Sequence, residues 1–219
     1  LYPGEDDYIA HFETVLPAFK DPRYITVDDK PVFMIYQPFQ HPQIKEFMAL
    51  WQKLAMNNGL KGIFFIGQTY HLTEERAELM DMGFDAINVT RLFDFEKKAK
   101  FLYKCAKWRH RIFRCPKIME YKRVSRFFVG DEEYAPEIIP NWDHSPRSLN
   151  KALVLNHAEP AYFDRHVKDV MARIENKPLE HRLAFVKSWN EWGEGNYLEP
   201  DLRYGKGYLE VIRKYIGRK

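Results

Sequence analysis

The chain has 219 residues and a formal net charge of +3, which is too small by itself to indicate a polyanionic partner. Its composition, 45% hydrophobic, 16% aromatic and 30% charged, suits a globular protein with a sizeable core. No run approaches the roughly 18 apolar residues of a membrane-spanning helix, so we exclude a spanning segment from the printed sequence.

The first 90 residues predict helices that alternate with short apolar strands. Apolar side chains recur at helical spacing, and the runs between them are continuous enough to predict strands buried on both faces. Asn58-Gly59 and Gly83 supply helix stop signals. The predicted helices cover 6–19, 43–56 and 73–83, and the predicted strands cover 31–36, 61–67 and 84–89.

A segment dense in Lys and Arg, residues 97–126, follows and is predicted to be helical in its first part. Apolar residues lie between the charges, which predicts that one side packs and the other is solvated. Three interpretations remain open: a solvated helix face, a surface for anionic lipid or for the phosphate of a lipid-linked or nucleotide sugar, and a nucleic-acid surface. No nucleic-acid motif accompanies the charge, so we predict no nucleic-acid partner. The interleaved apolar residues are Phe101, Leu102, Trp108, Ile112 and Phe113.

The cysteines and histidines give no sign of a metal site. Cys105 and Cys115 lack metal-ligand spacing, and we interpret them as free thiols of a reducing compartment, with a disulfide between them as the alternative. We therefore expect a cytoplasmic protein, with peripheral membrane contact through residues 97–126 as the second interpretation. His71, His144 and His157 follow no ligand pattern, and we predict no metal and no cofactor.

The second half continues the alternation and ends in a cluster of acids and aromatic residues. Strands are predicted over 138–141 and 183–188, and helices over 162–174 and 207–216. Residues 184–201, AFVKSWNEWGEGNYLEPD, lead from the last strand into this cluster. Two carboxylic acids between aromatic rings and amides suit glycosidic-bond chemistry, in which one acid protonates the leaving oxygen and flat rings lie against sugar faces.

Strands that alternate with helices predict an α/β fold with a parallel sheet. Polar or aromatic residues follow nearly every strand, which favours a barrel over a doubly wound sheet. Five strands cannot close a barrel of eight, so we expect about three strands before Leu1. We predict that residues 1–219 are a single domain, the C-terminal part, about five strands, of a (β/α)8 TIM barrel.

Four stretches resemble the WbsX-like glycosyltransferase family, whose barrel is similar to glycoside hydrolase family 99, the endo-α-mannosidases and endomannanases. The stretches are DPRYITVDDKPVFMIYQP (21–38), GFDAINV (83–89), PNWDHSPR (140–147) and WNEWGEGNYLEPD (189–201). The resemblance implies that Glu191 acts as base on the substrate's own 2-hydroxyl and that Glu194 acts as general acid and then base. The sequence departs from the family's pattern at Gln37, His144, Gly193 and Tyr197.

The candidate catalytic residues are therefore Glu191 and Glu194, with loop acids in ordinary salt bridges as the alternative. Structural roles also stay open for the candidate binding residues, and Asp143 could form an ion pair with Arg147. We expect an oligosaccharide or polysaccharide partner and an enzyme that cleaves or transfers glycosidic linkages of a mannose-type or surface polysaccharide. A glycosyltransferase of O-antigen or capsular polysaccharide biosynthesis and a non-catalytic carbohydrate-binding barrel are the alternatives. The candidate substrate-binding residues are Trp189, Asn190, Trp192, Asn196, Tyr36, Tyr70, Trp142 and Asp143.

Overall fold

The computed structural model describes residues 4–92, 95–130 and 135–216. The chain forms two compact units: Leu1–Val89 with Pro178–Arg182, and Thr90–Lys177 with Leu183–Lys219. Both combine helices with parallel strands, which confirms the mixed α/β prediction. The prediction of a single barrel domain stays a prediction.

The first unit contains a parallel sheet whose strands alternate with helices. Strands β2, β3 and β4 are parallel, with Ile35 opposite Gly67 and Gln68 opposite Asn88, and β1 runs antiparallel to β2. Every predicted helix and strand of this region is present within a few residues. The elements are α1 (Glu5–Phe19), β1 (Thr26–Val27), β2 (Lys30–Ile35), α2 (Ile44–Asn57), β3 (Phe64–Thr69), α3 (Leu72–Met82) and β4 (Ala86–Val89).

Trp51 is at the centre of the first unit's core. It is fully buried, its Nε1 donates to the Tyr8 carbonyl at 3.0 Å, and the Phe33 and Phe47 rings lie 4.7 and 4.6 Å from it. Phe33 thereby covers one face of β2, whereas Met34 on the opposite face is exposed. The prediction that β2 is buried on both faces was wrong, because helix packing covers only the face that carries Phe33.

The second unit has shorter strands and more of them than the sequence predicts. Strands β6 and β9 are parallel, β5 and β8 are parallel, and β7 runs antiparallel to β8. The predicted strand at 138–141 instead ends at Ile138, and the one at 183–188 is only two residues long. The elements are α4 (Phe95–Lys98), α5 (Lys100–Phe113), β5 (Lys117–Glu120), α6 (Tyr121–Val124), β6 (Ala135–Ile138), β7 (Trp142–Asp143), α7 (Ser145–Ser148), β8 (Leu153–Asn156), α8 (Pro160–Ile174), β9 (Phe185–Val186), β10 (Asn190–Glu191), β11 (Asn196–Tyr197) and α9 (Gly207–Ile216).

The second unit has two hydrophobic clusters. One surrounds Tyr121 and Phe128 beneath the β5–β8–β7 sheet, and the other joins Phe163 of α8 to Tyr208 of α9. Cys105 and Cys115 are free thiols. Over the described ranges, no helix combines the length and apolarity needed to cross a bilayer, and no three His, Cys, Asp or Glu side chains converge as metal ligands.

Candidate active site

The two candidate catalytic glutamates lie on a small β-hairpin. Strands β10 and β11 pair antiparallel, with Glu191 opposite Asn196, and a 3-10 turn over Trp192–Glu194 connects them. Gly195 closes the turn at a φ of 50°, in the left-handed region that favours glycine. A Cβ there would lie 2.9 Å from the Asp143 backbone nitrogen, so the hairpin rests directly on β7.

Arg147 of α7 bridges the two glutamates. Its Nη2 donates to Glu191 Oε1 at 3.0 Å, and its Nη1 donates to Glu194 Oε1 at 3.3 Å. The side chains of Arg147, Glu191 and Glu194 are 54%, 41% and 23% exposed, so the pair of acids remains accessible from solvent. One guanidinium therefore fixes the two carboxylates relative to each other.

Arg147 does not pair with Asp143, which was the alternative considered from the sequence. Asp143 Oδ1 instead accepts a hydrogen bond from the Ser145 backbone N–H at 2.8 Å, and this contact starts the turn into α7. Sequence reasoning missed Arg147 as a partner of the glutamates, because 44 and 47 positions separate it from them.

His144 and Gly193 complete the surroundings of the two acids. His144 Nε2 lies 3.5 Å from Glu194 Oε1, and its ring stacks on Trp142 at 5.9 Å. A Cβ on Gly193 would lie 3.1 Å from Glu191 Oε1 and 3.2 Å from Arg147 Nε. The absence of a side chain at this position leaves room for the ion pair.

Trp192 presents an exposed aromatic plate on the same turn. Its ring stacks on Tyr197 with centroids 3.8 Å apart and planes 19° apart, and its Nε1 donates to Glu199 Oε2 at 2.8 Å. Burial and a hydrogen bond to Asp201 raise the pKa of Tyr197 to about 12. Tyr197 therefore covers one face of the Trp192 ring and Glu199 fixes its Nε1 edge, while 46% of Trp192 stays exposed.

Two asparagines support the hairpin from inside. Asn196 is buried, and its Nδ2 donates to the Asn141 carbonyl at 2.5 Å. Asn141 Oδ1 accepts from the Tyr197 N–H at 2.9 Å. Asn196 therefore supports the hairpin, while its role in substrate binding stays a prediction, and Asn141 is a further supporting residue that the sequence did not reveal.

A cavity of about 370 Å³ is lined in part by Trp192 and Gly195 of the same turn, whereas Glu191 and Glu194 are not among its lining residues. Its size falls within the range usual for ligand sites, and its wall combines aromatic rings with a few polar groups, as such sites commonly do. The cavity and the bridged acids share the Trp192–Gly195 turn. Lining residues include Trp142, Asp143, Trp192, Tyr197, Arg203 and Tyr204.

The model of one protein family, described as "Glycosyltransferase WbsX", matches residues 1–212. The chain belongs to the WbsX glycosyltransferase family. Proteins named "Uncharacterized protein WxcX", from two strains of Xanthomonas campestris pv. campestris, are each 29% identical over 221 residues, covering 97% of this chain. The chain spans 30% of the length of these relatives. No solved structure matches it.

The remaining candidate residues of this WbsX-family chain are two on the hairpin and two in the first unit. Trp189 and Asn190 are exposed at the start of the hairpin, where the Trp189 carbonyl accepts from the Leu198 N–H at 2.8 Å. Tyr36, which is exposed, and Tyr70, which is half-buried, follow β2 and β3 of the first unit. Their roles in substrate binding stay predictions.

The WbsX-family chain also buries a carboxyl group that the sequence did not single out. Glu137 of β6 is 3% exposed, and burial raises its pKa to about 7, although Lys187 Nζ lies 3.6 Å from Oε1 and favours the ionised form. The Thr90 hydroxyl donates to Oε1 at 3.4 Å, while Oε2 has no partner in the described part of the chain. Lys187 is followed in the chain by Ser188, whose Oγ accepts a hydrogen bond from the Glu191 N–H at 3.0 Å. Ser188 thus connects the segment that carries Lys187 to the hairpin.

Proposed function

We propose that this chain carries the catalytic carboxylates of a carbohydrate-active enzyme of polysaccharide biosynthesis, one that transfers or cleaves glycosidic bonds. The observation that carries the proposal is the pairing of Glu191 and Glu194 by one guanidinium beside the exposed Trp192 plate. Glycosidic chemistry uses two such carboxyl groups, one on each side of the reacting bond. The family description supports a sugar-handling enzyme.

In the proposed reaction, Glu191 removes the proton of the substrate's 2-hydroxyl as O2 attacks C1, and Glu194 protonates the departing glycosidic oxygen, which gives a 1,2-anhydro sugar. Glu194 then takes a proton from the water or acceptor hydroxyl that attacks C1, and Glu191 returns its proton to O2 as the C1–O2 bond breaks. These roles come from the resemblance to family 99 glycoside hydrolases. Arg147 would hold both acids in position before the sugar enters, and His144 would contact the same Oε1 of Glu194 that Arg147 reaches. Trp192 would provide a flat surface for the C–H face of a sugar ring.

The same proposal includes the wider architecture. The β2–β3–β4 strands and the β6–β9 pair would be the C-terminal strands of a (β/α)8 barrel, a fold in which catalytic groups lie beyond the carboxyl ends of the strands. The hairpin with Glu191 follows β9 in this manner. The substrate class we propose is a mannose-type or surface polysaccharide.

Turnover by acid-to-amide variants of the intact protein tests the proposal. The probes are a panel of nucleotide sugars and polyprenyl-phosphate sugars with oligosaccharide acceptors, and α-mannan oligosaccharides for cleavage. We expect Glu191→Gln and Glu194→Gln each to lower turnover by about 10² to 10⁴-fold, because each removes a proton-transfer group. Glu210→Gln, an exposed acid on α9, is the matched control and should leave turnover unchanged.

Calorimetric titration of the same oligosaccharides separates catalysis from binding alone. We expect the two variants to keep oligosaccharide affinity within a fewfold of the wild type. Turnover that survives both substitutions would overturn the assignment of the acids. Tight oligosaccharide binding by a wild-type protein that turns over none of the probes would instead favour the carbohydrate-binding alternative.

A further inference from the structure

Helix α5 presents an apolar stripe on its solvent-facing side. Phe101, Cys105, Trp108 and Ile112 recur at intervals of four, three and four residues, and all four are exposed. At 3.6 residues per turn, these positions fall within roughly 60° of arc. Phe101, Trp108 and Ile112 are 78%, 62% and 51% exposed, so the stripe is not part of the core.

The opposite side of α5 already packs in the second unit. Ala106 is buried there, and Leu102 and Tyr103 pack against the cluster around Tyr121. The helix is therefore held in place through one face, and its second apolar face remains uncovered in the described part of the chain. A packed helix does not need this second face for its own stability.

The charge of α5 is all of one sign. The helix contains five Lys or Arg residues and no Asp or Glu. Lys100, Lys104 and Arg111 lie along one side of the stripe and Arg109 along the other, by the same helical spacing. None of these four makes an ion pair within the described residues.

We propose that α5 docks in the plane of a membrane surface that contains anionic lipid, with Phe101, Trp108 and Ile112 inserted at the headgroup boundary. Aromatic and aliphatic side chains on one face with Lys and Arg beside them are the pattern of interfacial helices. Lipid phosphates complement the unpaired cations, whereas a second copy of α5 would bring five cations against five. This inference goes beyond the proposed function and does not depend on it.

Vesicle binding of the intact protein tests the inference. The protein carries Cys105 as its only cysteine, and this cysteine is labelled with an environment-sensitive fluorophore. Vesicles are either phosphatidylcholine alone or an equal mixture of phosphatidylcholine and phosphatidylglycerol. We expect a blue shift of the label and co-sedimentation with the mixed vesicles only, both reduced by high salt because the phosphate contacts are screened.

Substitutions separate the apolar and the charged contributions. Trp108→Ser should weaken association by about tenfold or more, and Lys104→Gln and Arg111→Gln by about fivefold each. Leu179→Ser, another exposed apolar residue, and Arg213→Gln on α9 are the matched controls and should change nothing. Circular dichroism of each variant checks that the fold is retained.

Several results would overturn the inference. Equal binding to neutral vesicles, or no response of the label to mixed vesicles, would exclude docking through this helix. A label spectrum that shifts with protein concentration alone would assign the stripe to self-association. If the label on Cys105 is already shielded from water in the intact protein without vesicles, the stripe is covered by another segment of the protein.

Discussion

Arg147 Nη2 donates a hydrogen bond to Glu191 Oε1 at 3.0 Å, although 44 positions separate the two residues. Because both side chains are about half exposed, such a pair typically contributes less than about 1 kcal/mol to folding. Stability therefore does not explain the bridge. Its consequence is positional, since the same guanidinium also reaches Glu194.

Replacing Arg147 should consequently change activity more than stability. We expect Arg147→Met to lower turnover by about 10²-fold, because small misplacements of catalytic groups have effects of this size. Arg147→Lys should recover only part of the loss, since a single ammonium lacks the planar fork that bridges two acids. Turnover and denaturant unfolding measure the two effects, with Arg213→Met on α9 as control. Unchanged turnover with a large loss of stability would contradict the positional role.

The sequence predicts the first unit well because its signals are local. Apolar spacing defines α2, and the run that becomes β3 is buried as predicted. The β5–β8–β7 sheet is absent from the prediction because its strands are four residues or fewer and because β5 pairs with β8 across about 36 positions. The Arg147 bridge could not be predicted from local sequence either, because its two partners lie 44 and 47 positions away. Asp143, which is much closer in sequence, was the partner that the sequence suggested.

Two glycines with positive φ provide a test of how closely the hairpin rests on β7. Gly195→Ala should destabilise the fold by about 3 kcal/mol or more, because the new Cβ adds a clash with the Asp143 backbone to the strain of a left-handed residue. Gly205→Ala should cost only about 1–2 kcal/mol, the strain of a left-handed residue alone, because its Cβ would meet nothing within 4 Å. Urea unfolding measures the free energy of unfolding of both variants. Equal losses of stability in the two would show that the hairpin can move away from β7.

The Trp192 plate should contribute directly to sugar binding. We expect Trp192→Ala to weaken oligosaccharide affinity by about tenfold, because it removes an exposed aromatic surface and its stack on Tyr197. Trp192→Phe should lose less oligosaccharide affinity, because it keeps an aromatic ring and loses only the hydrogen bond to Glu199 and part of the ring area. Trp108→Ala on α5 is the matched control. Calorimetry measures the affinities, and an equal effect at Trp108 would argue against a specific plate.

Two buried groups of the second unit should give stability opposite dependences on pH. His166 is fully buried, and burial lowers its pKa from 6.5 to about 3, while its Nε2 accepts from the Ile139 N–H at 3.0 Å. Its depressed pKa contributes stability that is present above pH 6.5 and is lost as the pH falls toward 3. Glu137 behaves in the opposite way, because its pKa is raised from 4.5 to about 7.

The contribution of Glu137 is fully present below pH 4.5 and is lost as the pH rises through 7, so the two groups offset each other between pH 4.5 and 6.5. Each changes the free energy of unfolding by about 1.4 kcal/mol per pH unit in its window. Subtracting the unfolding free energy of Glu137→Gln from that of the wild type should give a difference that falls with rising pH. The same subtraction with His166→Gln, which keeps an acceptor for Ile139, should give a difference that rises. Urea unfolding at a series of pH values between 4.5 and 6.5 measures both differences in unfolding free energy. If the two differences change with pH in the same direction, burial does not hold one of these two groups in its neutral form.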